Sequence, residues 1–287
     1  MNIGRGSITF EAKAKRIKML PEDFDRIATF VRTEAGLQFT TQKASMMESR
    51  LIKRLRKLNI NSFNEYCTLI ETPSQTAERR ELISALTTNV TSFFREPHHF
   101  DTLVKEVIPP LIARLKKGKP VRIWSAGCSR GHEPYSLAMT FSEMLPEIAK
   151  YDFLILASDI DTQVLHTARE GTYDESDLNA VPNSYIEKYF FQNHTTLQID
   201  PDVRKLVRFN PLNLLQEWPM KTQFNVIFCR NVVIYFDQKT QNVLWPKFEA
   251  ATCPGGWLFI GHSERLTSSA APSFQSAGMT SYQKSSR

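Results

Sequence analysis

Between Pro21 and Thr87 the apolar positions recur at helical spacing, with Phe24, Ile27, Phe30 and Val31 forming one stripe that Gly36 ends. Ser45-Met46-Met47-Glu48 and Ser62-Phe63-Asn64-Glu65 read as capping boxes, in which hydroxyl and carboxylate satisfy the first free N–H groups of a helix. A further helix over Ala77 to Leu86 completes a small all-helical domain spanning 21–87. Past Pro97 the pattern changes to short β-branched and aromatic runs. Val121-Arg122-Ile123-Trp124-Ser125, Phe153-Leu154-Ile155-Leu156-Ala157, Phe224-Asn225-Val226-Ile227-Phe228 and Gly256-Trp257-Leu258-Phe259-Ile260 are the expected buried strands. Amphipathic stretches near 99–117, 133–146, 162–170 and 238–251 alternate with them, which predicts an α/β fold with a doubly wound parallel sheet over 99–287. Residues 88–98 link the two parts. The long interval from Gly171 to Asn210 should carry structure of its own, so Thr195–Ile199 and Leu206–Phe209 are assigned to a small inserted β-subdomain, about 171–210. A last strand is expected near Met279 to Gln283.

Composition narrows the class. The 287 residues, 41% hydrophobic and 23% charged, can bury a sizeable core and exclude collagen-like or wholly disordered chains. No run approaches the ~18 apolar residues of a membrane span, and no apolar run follows the charged N-terminus, so a cytoplasmic chain without membrane insertion is expected. Four scattered cysteines without a C-x-x-C pair argue against disulfides and structural zinc, and the adjacent His98 and His99 read as polar helix residues, so no metal is expected. Of the net charge of +6, +4 lies in residues 1–20, read as a solvated, flexible basic tail. The remainder is nearly balanced, and no nucleic-acid partner is expected.

Chemistry enters at the strand ends. The first core strand runs into Ser125-Ala126-Gly127-Cys128-Ser129-Arg130-Gly131-His132-Glu133-Pro134, where a doubly wound sheet lets backbone approach a ligand. The G-x-x-x-G spacing is neither the dinucleotide fingerprint nor a phosphate loop, and taken alone it is equally compatible with an ordinary turn. The second strand ends in Ala157-Ser158-Asp159-Ile160-Asp161. Asp161 suits the N-cap of the following helix, which leaves Asp159 to accept from ribose hydroxyls. A nucleoside-bearing cofactor without phosphate points to S-adenosylmethionine.

Six ordered segments then fall into a family pattern: Asn89-Val90-Thr91-Ser92-Phe93-Phe94-Arg95, Trp124–Ser129, Gly131–Ser136, Ala157–Asp161, Phe228–Phe236 and Gly261-His262-Ser263-Glu264. The chain closely resembles the chemotaxis receptor methyltransferases, the CheR family. The resemblance implies a Rossmann-like methyltransferase domain and transfer of a methyl group from S-adenosylmethionine to glutamate side chains of bacterial chemoreceptors, with S-adenosylhomocysteine as product. It also implies cofactor contacts at Asn89, Thr91, Arg95, Glu133, Asp159, Asn213, Arg230 and Asn231. The departures are Arg130 and His132, where the family commonly has Thr-Gly-Glu-Glu before Pro-Tyr.

A glutamate with a pKa near ~4.3 is ionised at neutral pH, so such a transfer needs positioning rather than a general base. Arg95 and Tyr235 are the candidates for orienting the acceptor carboxylate. Arg50, Lys53, Arg54 and Lys57 fall at i, i+3, i+4 and i+7 and are expected to steer acidic receptor helices. Some relatives bind a receptor-tail peptide through a glycine-containing extension of the inserted subdomain; Phe190–Leu197 contains no glycine, so tethering is not expected. Two other functions fit the sequence less well. A nucleic-acid methylase would carry [DN]-P-P-[FY] where Cys229-Arg230-Asn231-Val232 stands, or a Pro-Cys nucleophile where Cys253-Pro254 is reversed. A non-catalytic, cofactor-sensing adaptor is opposed by the intact set of cofactor positions.

Overall fold

The structure, a computed structural model, describes residues 17–286. The expected basic tail therefore falls largely outside the described residues. Its end does not: Met19 is buried, and its N–H donates to the Glu48 carboxylate at 2.9 Å, so this stretch packs on the helical domain.

That domain contains α1 (Pro21–Ala35), α2 (Ala44–Lys57), α3 (Phe63–Glu71) and α4 (Thr76–Leu86). Their apolar stripes, Ile27 and Val31, Met47, Leu51 and Leu55, Phe63 and Ile70, Leu82 and Leu86, close one core. Ser62 caps α3 by accepting from the Glu65 N–H at 3.2 Å. The box expected at Ser45 does not form. Helix α2 begins at Ala44, and Glu48 turns instead to Met19.

The expected helix near 99–117 is interrupted. Helix α5 (Pro97–Thr102) passes through a widened π turn, Leu103–Val107, into α6 (Ile108–Lys116), because Pro109 and Pro110 have no N–H with which to continue the ladder. Then follow β1 (Val121–Ala126), α7 (His132–Met144), β2 (Phe153–Asp159) and α8 (Thr162–Glu170). Next come β3 (Thr172–Tyr173), α9 (Asn183–Tyr189), β4 (Phe190–Asn193), β5 (Thr196–Ile199), α10 (Pro201–Lys205) and β6 (Val207–Pro211). The chain ends with β7 (Phe224–Cys229), α11 (Gln238–Ala251), β8 (Thr252–Ile260), β9 (Phe274–Gly278) and β10 (Ser281–Lys284).

The main sheet is ordered β6-β2-β1-β7-β8-β10-β9. The first five strands are parallel, and β10 and β9 are antiparallel additions. The order reverses at β1, the switch point where such sheets open a ligand crevice. Strand β6 corrects the expectation for Leu206–Phe209: it pairs in parallel with β2 at the main sheet's edge, and the inserted subdomain is the three-stranded sheet β3-β5-β4.

The basic face of α2 is also corrected. The four residues do share a face, but that face opposes α4. Arg50 donates to the carbonyls of Leu86 and Thr87 at the end of α4. Arg54 forms a bidentate pair with the buried Glu78, which also accepts from the Tyr66 hydroxyl, and a second pair with Glu81 at 2.7 Å. Only Lys53 and Lys57 of the four remain exposed.

Candidate active site

The carboxyl ends of β1, β2, β6 and β7 meet the 88–96 linker and the loop after α1 around one cleft. Gly127 follows β1 at φ +82°, and a Cβ there would lie 2.3 Å from the Val232 side chain, so glycine is required by both conformation and space. The next turn brings the Ser129 N–H to Asp159 at 2.8 Å, while the Asp161 N–H donates to its other oxygen at 2.9 Å. Each Asp159 oxygen keeps a lone pair for a ligand. Burial pushes this carboxyl up to about 6, against the backbone donors. Asp161 caps α8 through Gln163 N–H, as expected, and also accepts from the Asn89 amide at 2.8 Å.

A charged chain runs from the cleft toward the surface. Glu133 accepts from Ser125 at 2.6 Å and lies 3.4 Å from Arg230; burial raises its pKa, and Arg230 opposes the rise. Arg230 donates to the Arg95 carbonyl and its Nε faces the carboxylates of Glu133 and Glu96 at 3.4 and 3.8 Å, which leaves Nη1 buried without a hydrogen-bond partner. Such an unpartnered guanidinium nitrogen suits a ligand carboxylate. Burial works against ionisation of Glu96, but hydrogen bonds from His262 and the Arg230 charge hold it below the usual range.

Glu264 fixes the loop that carries Arg230. It is 2% exposed and accepts from five backbone N–H groups: Gly261, Asn231, Val232, Val233 and Ile234. Asn231 at φ +58° is held in the left-handed region by this arrangement. A Cβ on Gly261 would lie 2.6 Å from the Asn231 amide, which explains the glycine.

All the residues expected around the cofactor, Asn89, Thr91, Arg95, Glu133, Asp159, Asn213, Arg230 and Asn231, line this cleft together with Tyr235. Their side chains are not equally free. The Asn213 amide donates to the Glu34 carbonyl at 2.7 Å and accepts from Leu215 N–H, so it locks the two domains together. Arg95 donates to the Val90 carbonyl at 3.1 Å and keeps the rest of its guanidinium available. The helical domain adds Leu37, Phe39 and Met46, which the sequence did not mark as site residues; the only signal was the stop at Gly36.

Arg130 and His132 do not line the cleft. Arg130 pairs with Asp177 at 3.1 Å, and His132 packs between Phe93 and Tyr173. Burial and the Arg130 charge bring the His132 imidazole down to about 4, so it is neutral there at physiological pH. The replaced carboxylate therefore leaves the cleft's charge intact. His99 lies on α5, as expected, and is wholly buried there against Phe259 with a hydrogen bond to Thr280. Glu96, His98 and His99 approach within 4.8 Å of one another, with Arg230 already supplying positive charge beside the Glu96 carboxylate.

A switch-point crevice with a glycine turn after the first strand, a carboxylate ending the second and no phosphate-loop lysine defines an S-adenosylmethionine-dependent methyltransferase. The chain belongs to the CheR methyltransferase family. Residues 22–87 match the family described as "CheR methyltransferase, all-alpha domain" and residues 89–283 the one described as "CheR methyltransferase, SAM binding domain". It is 46% identical over 256 residues to a "Probable chemotaxis protein methyltransferase" of Rhizobium etli, covering 88% of this chain and 96% of that one. It is 37% identical over 258 residues to the "Chemotaxis protein methyltransferase" of Escherichia coli K12, covering 88% and 87%. No helix among the described residues is long and apolar enough to cross a membrane.

Proposed function

We propose that the chain methylates glutamate carboxylates of bacterial chemoreceptors, forming glutamyl methyl esters. The observation that supports this most is that Arg95 and Tyr235 line one cleft from two separate segments, which the Tyr235 hydroxyl joins by donating to the Thr88 carbonyl at 3.5 Å. A guanidinium and a phenol orient an ionised carboxylate without any base. Bound S-adenosylmethionine supplies an activated methyl group on a sulfonium. Asp159 would hold the ribose hydroxyls, and Arg230, through its unpartnered Nη1, the cofactor's own carboxylate. Glu133 would place negative charge in the same cleft, and Asn89, Thr91, Asn213 and Asn231 would shape its walls. Arg95 is thereby left to the acceptor. Tritiated S-adenosylmethionine with receptor-containing membranes should give receptor label released by mild alkali; label in nucleic acid, or none, would overturn the reading.

Arg95→Ala and Tyr235→Phe are expected to lower kcat roughly tenfold or more, with a smaller change in receptor KM, because they act on the oriented carboxylate. Steady-state kinetics check this, and an unchanged kcat with a raised cofactor KM would reassign Arg95 to the cofactor.

Receptor steering falls to Lys53 and Lys57. Reversing both charges should raise receptor KM and flatten its salt dependence, since exposed charges are screened beyond about 8 Å at physiological ionic strength. Reversing Arg54 should instead lower Tm, because it strands the buried Glu78; breaking such a pair costs about 3 kcal/mol. Thermal melts and salt-dependent kinetics separate the two effects.

The β4–β5 hairpin closes through a two-residue turn, His194-Thr195, between the paired Asn193 and Thr196. Without an extension there, we expect no micromolar binding of an isolated receptor-tail peptide. Calorimetry showing such binding would contradict this.

A further inference from the structure

Two large aliphatic side chains stand in water at the mouth of the cleft. Val90 is 77% and Ile234 46% exposed, and they are the two cleft-lining members of the seven exposed large apolar residues among the described residues. They come from separate segments, the 88–96 linker and the loop after β7. Neither is a loose loop tip. The Val90 carbonyl is held by Arg95, and the Ile234 N–H by Glu264 at 3.3 Å. The Tyr235–Thr88 contact joins the two segments. Both side chains line the cleft that an acceptor must enter to reach Arg95, which places them where it would touch the protein. The same cleft carries the exposed cation of Lys43 as well as Arg95, so the mouth pairs positive charge with aliphatic surface.

We infer that Val90 and Ile234 form an apolar rim that docks the acceptor protein itself, by gripping aliphatic side chains one helical turn on either side of the glutamate to be methylated. An amphipathic helix presents residues at i−4 or i−3 and i+3 or i+4 on the face of residue i. A glutamate entering toward Arg95 therefore brings those neighbours against the rim while its acidic flanks meet Lys43. The rim reads what surrounds the glutamate, whereas Arg95 and Tyr235 read the carboxylate, so the rim sets which glutamates are chosen. A second copy of this chain is the competing occupant. It would need to bring a carboxylate into its own partner's cleft.

This inference rests on the proposed acceptor, and the experiment separates the two. Receptor methylation kinetics are measured for the wild type, Val90→Asp, Ile234→Asp, the double variant and the conservative pair Val90→Ile and Ile234→Leu. S-adenosylhomocysteine affinity is measured on each by calorimetry. The double aspartate variant should raise receptor KM at least tenfold, with the larger effect on KM than on kcat and cofactor affinity within twofold; the conservative variants should stay near wild type. Wild-type receptor KM in the double variant would overturn the rim, as would a parallel loss of cofactor affinity. A wild-type protein inactive on receptors would overturn the acceptor reading instead. Sedimentation showing a dimer that dissociates on Ile234→Asp, with receptor KM unchanged, would assign the rim to a second copy.

Discussion

Replacing Asp159 by alanine is expected to weaken S-adenosylhomocysteine binding roughly ten- to more than a hundredfold, because charge-assisted hydrogen bonds to ribose hydroxyls are worth about 1.5–3 kcal/mol. The carboxylate is 9% exposed and already oriented by the Ser129 and Asp161 N–H groups. The fold should persist. Burial holds the native carboxyl up at about 6, above its unfolded value, so native Asp159 keeps its proton more tightly and its ionisation costs stability as pH rises through that interval. Alanine removes that cost while unpairing two N–H groups, and the two effects oppose. An ionised carboxylate accepts from ribose hydroxyls more strongly than a neutral carboxyl, so cofactor affinity in the wild type should decline as pH drops through about 6. Calorimetric titration across this range measures both effects. Near wild-type affinity in the alanine variant would remove Asp159 from the cofactor site.

Glu264→Gln should be damaging out of proportion to its distance from the chemistry. One oxygen serves Val232, Val233 and Ile234 and the other serves Asn231 and Gly261, so an amide NH2 must face backbone donors on either side. Stranding buried donors costs about 1–3 kcal/mol each before relaxation, and a net loss of about 3 kcal/mol is expected. That corresponds to a Tm lower by roughly 6–12 °C for a domain of this size. Arg230 and Tyr235 sit on the released loop, so kcat and cofactor affinity should fall together even below the lowered Tm. A variant melting and turning over like the wild type would show that the loop holds itself.

The parallel strands were legible because a strand covered on both faces is an unbroken apolar run, as at Val226-Ile227-Phe228. Strand β6 was legible as a strand but not as a member of the main sheet, since Arg208 and Asn210 are exposed at the sheet edge and its partner Ile155 is distant in sequence. Helical spacing put Arg50, Lys53, Arg54 and Lys57 on one face correctly, but sequence spacing says nothing about the acidic face of α4 opposite. The site residues at strand ends followed from the switch-point rule and from the family resemblance together. Glu96 and Glu264 act through a folded loop's backbone and a distant guanidinium, which no local spacing encodes.

Methyl transfer to a glutamate carboxylate at this cleft leaves an ester. Mass spectrometry of receptor peptides after reaction with S-adenosylmethionine detects it. Glutamate should carry one added methylene, lost on mild alkaline treatment and strongly reduced with Asp159→Ala at limiting cofactor. A methyl group stable to alkali, or found on another residue type, would contradict it.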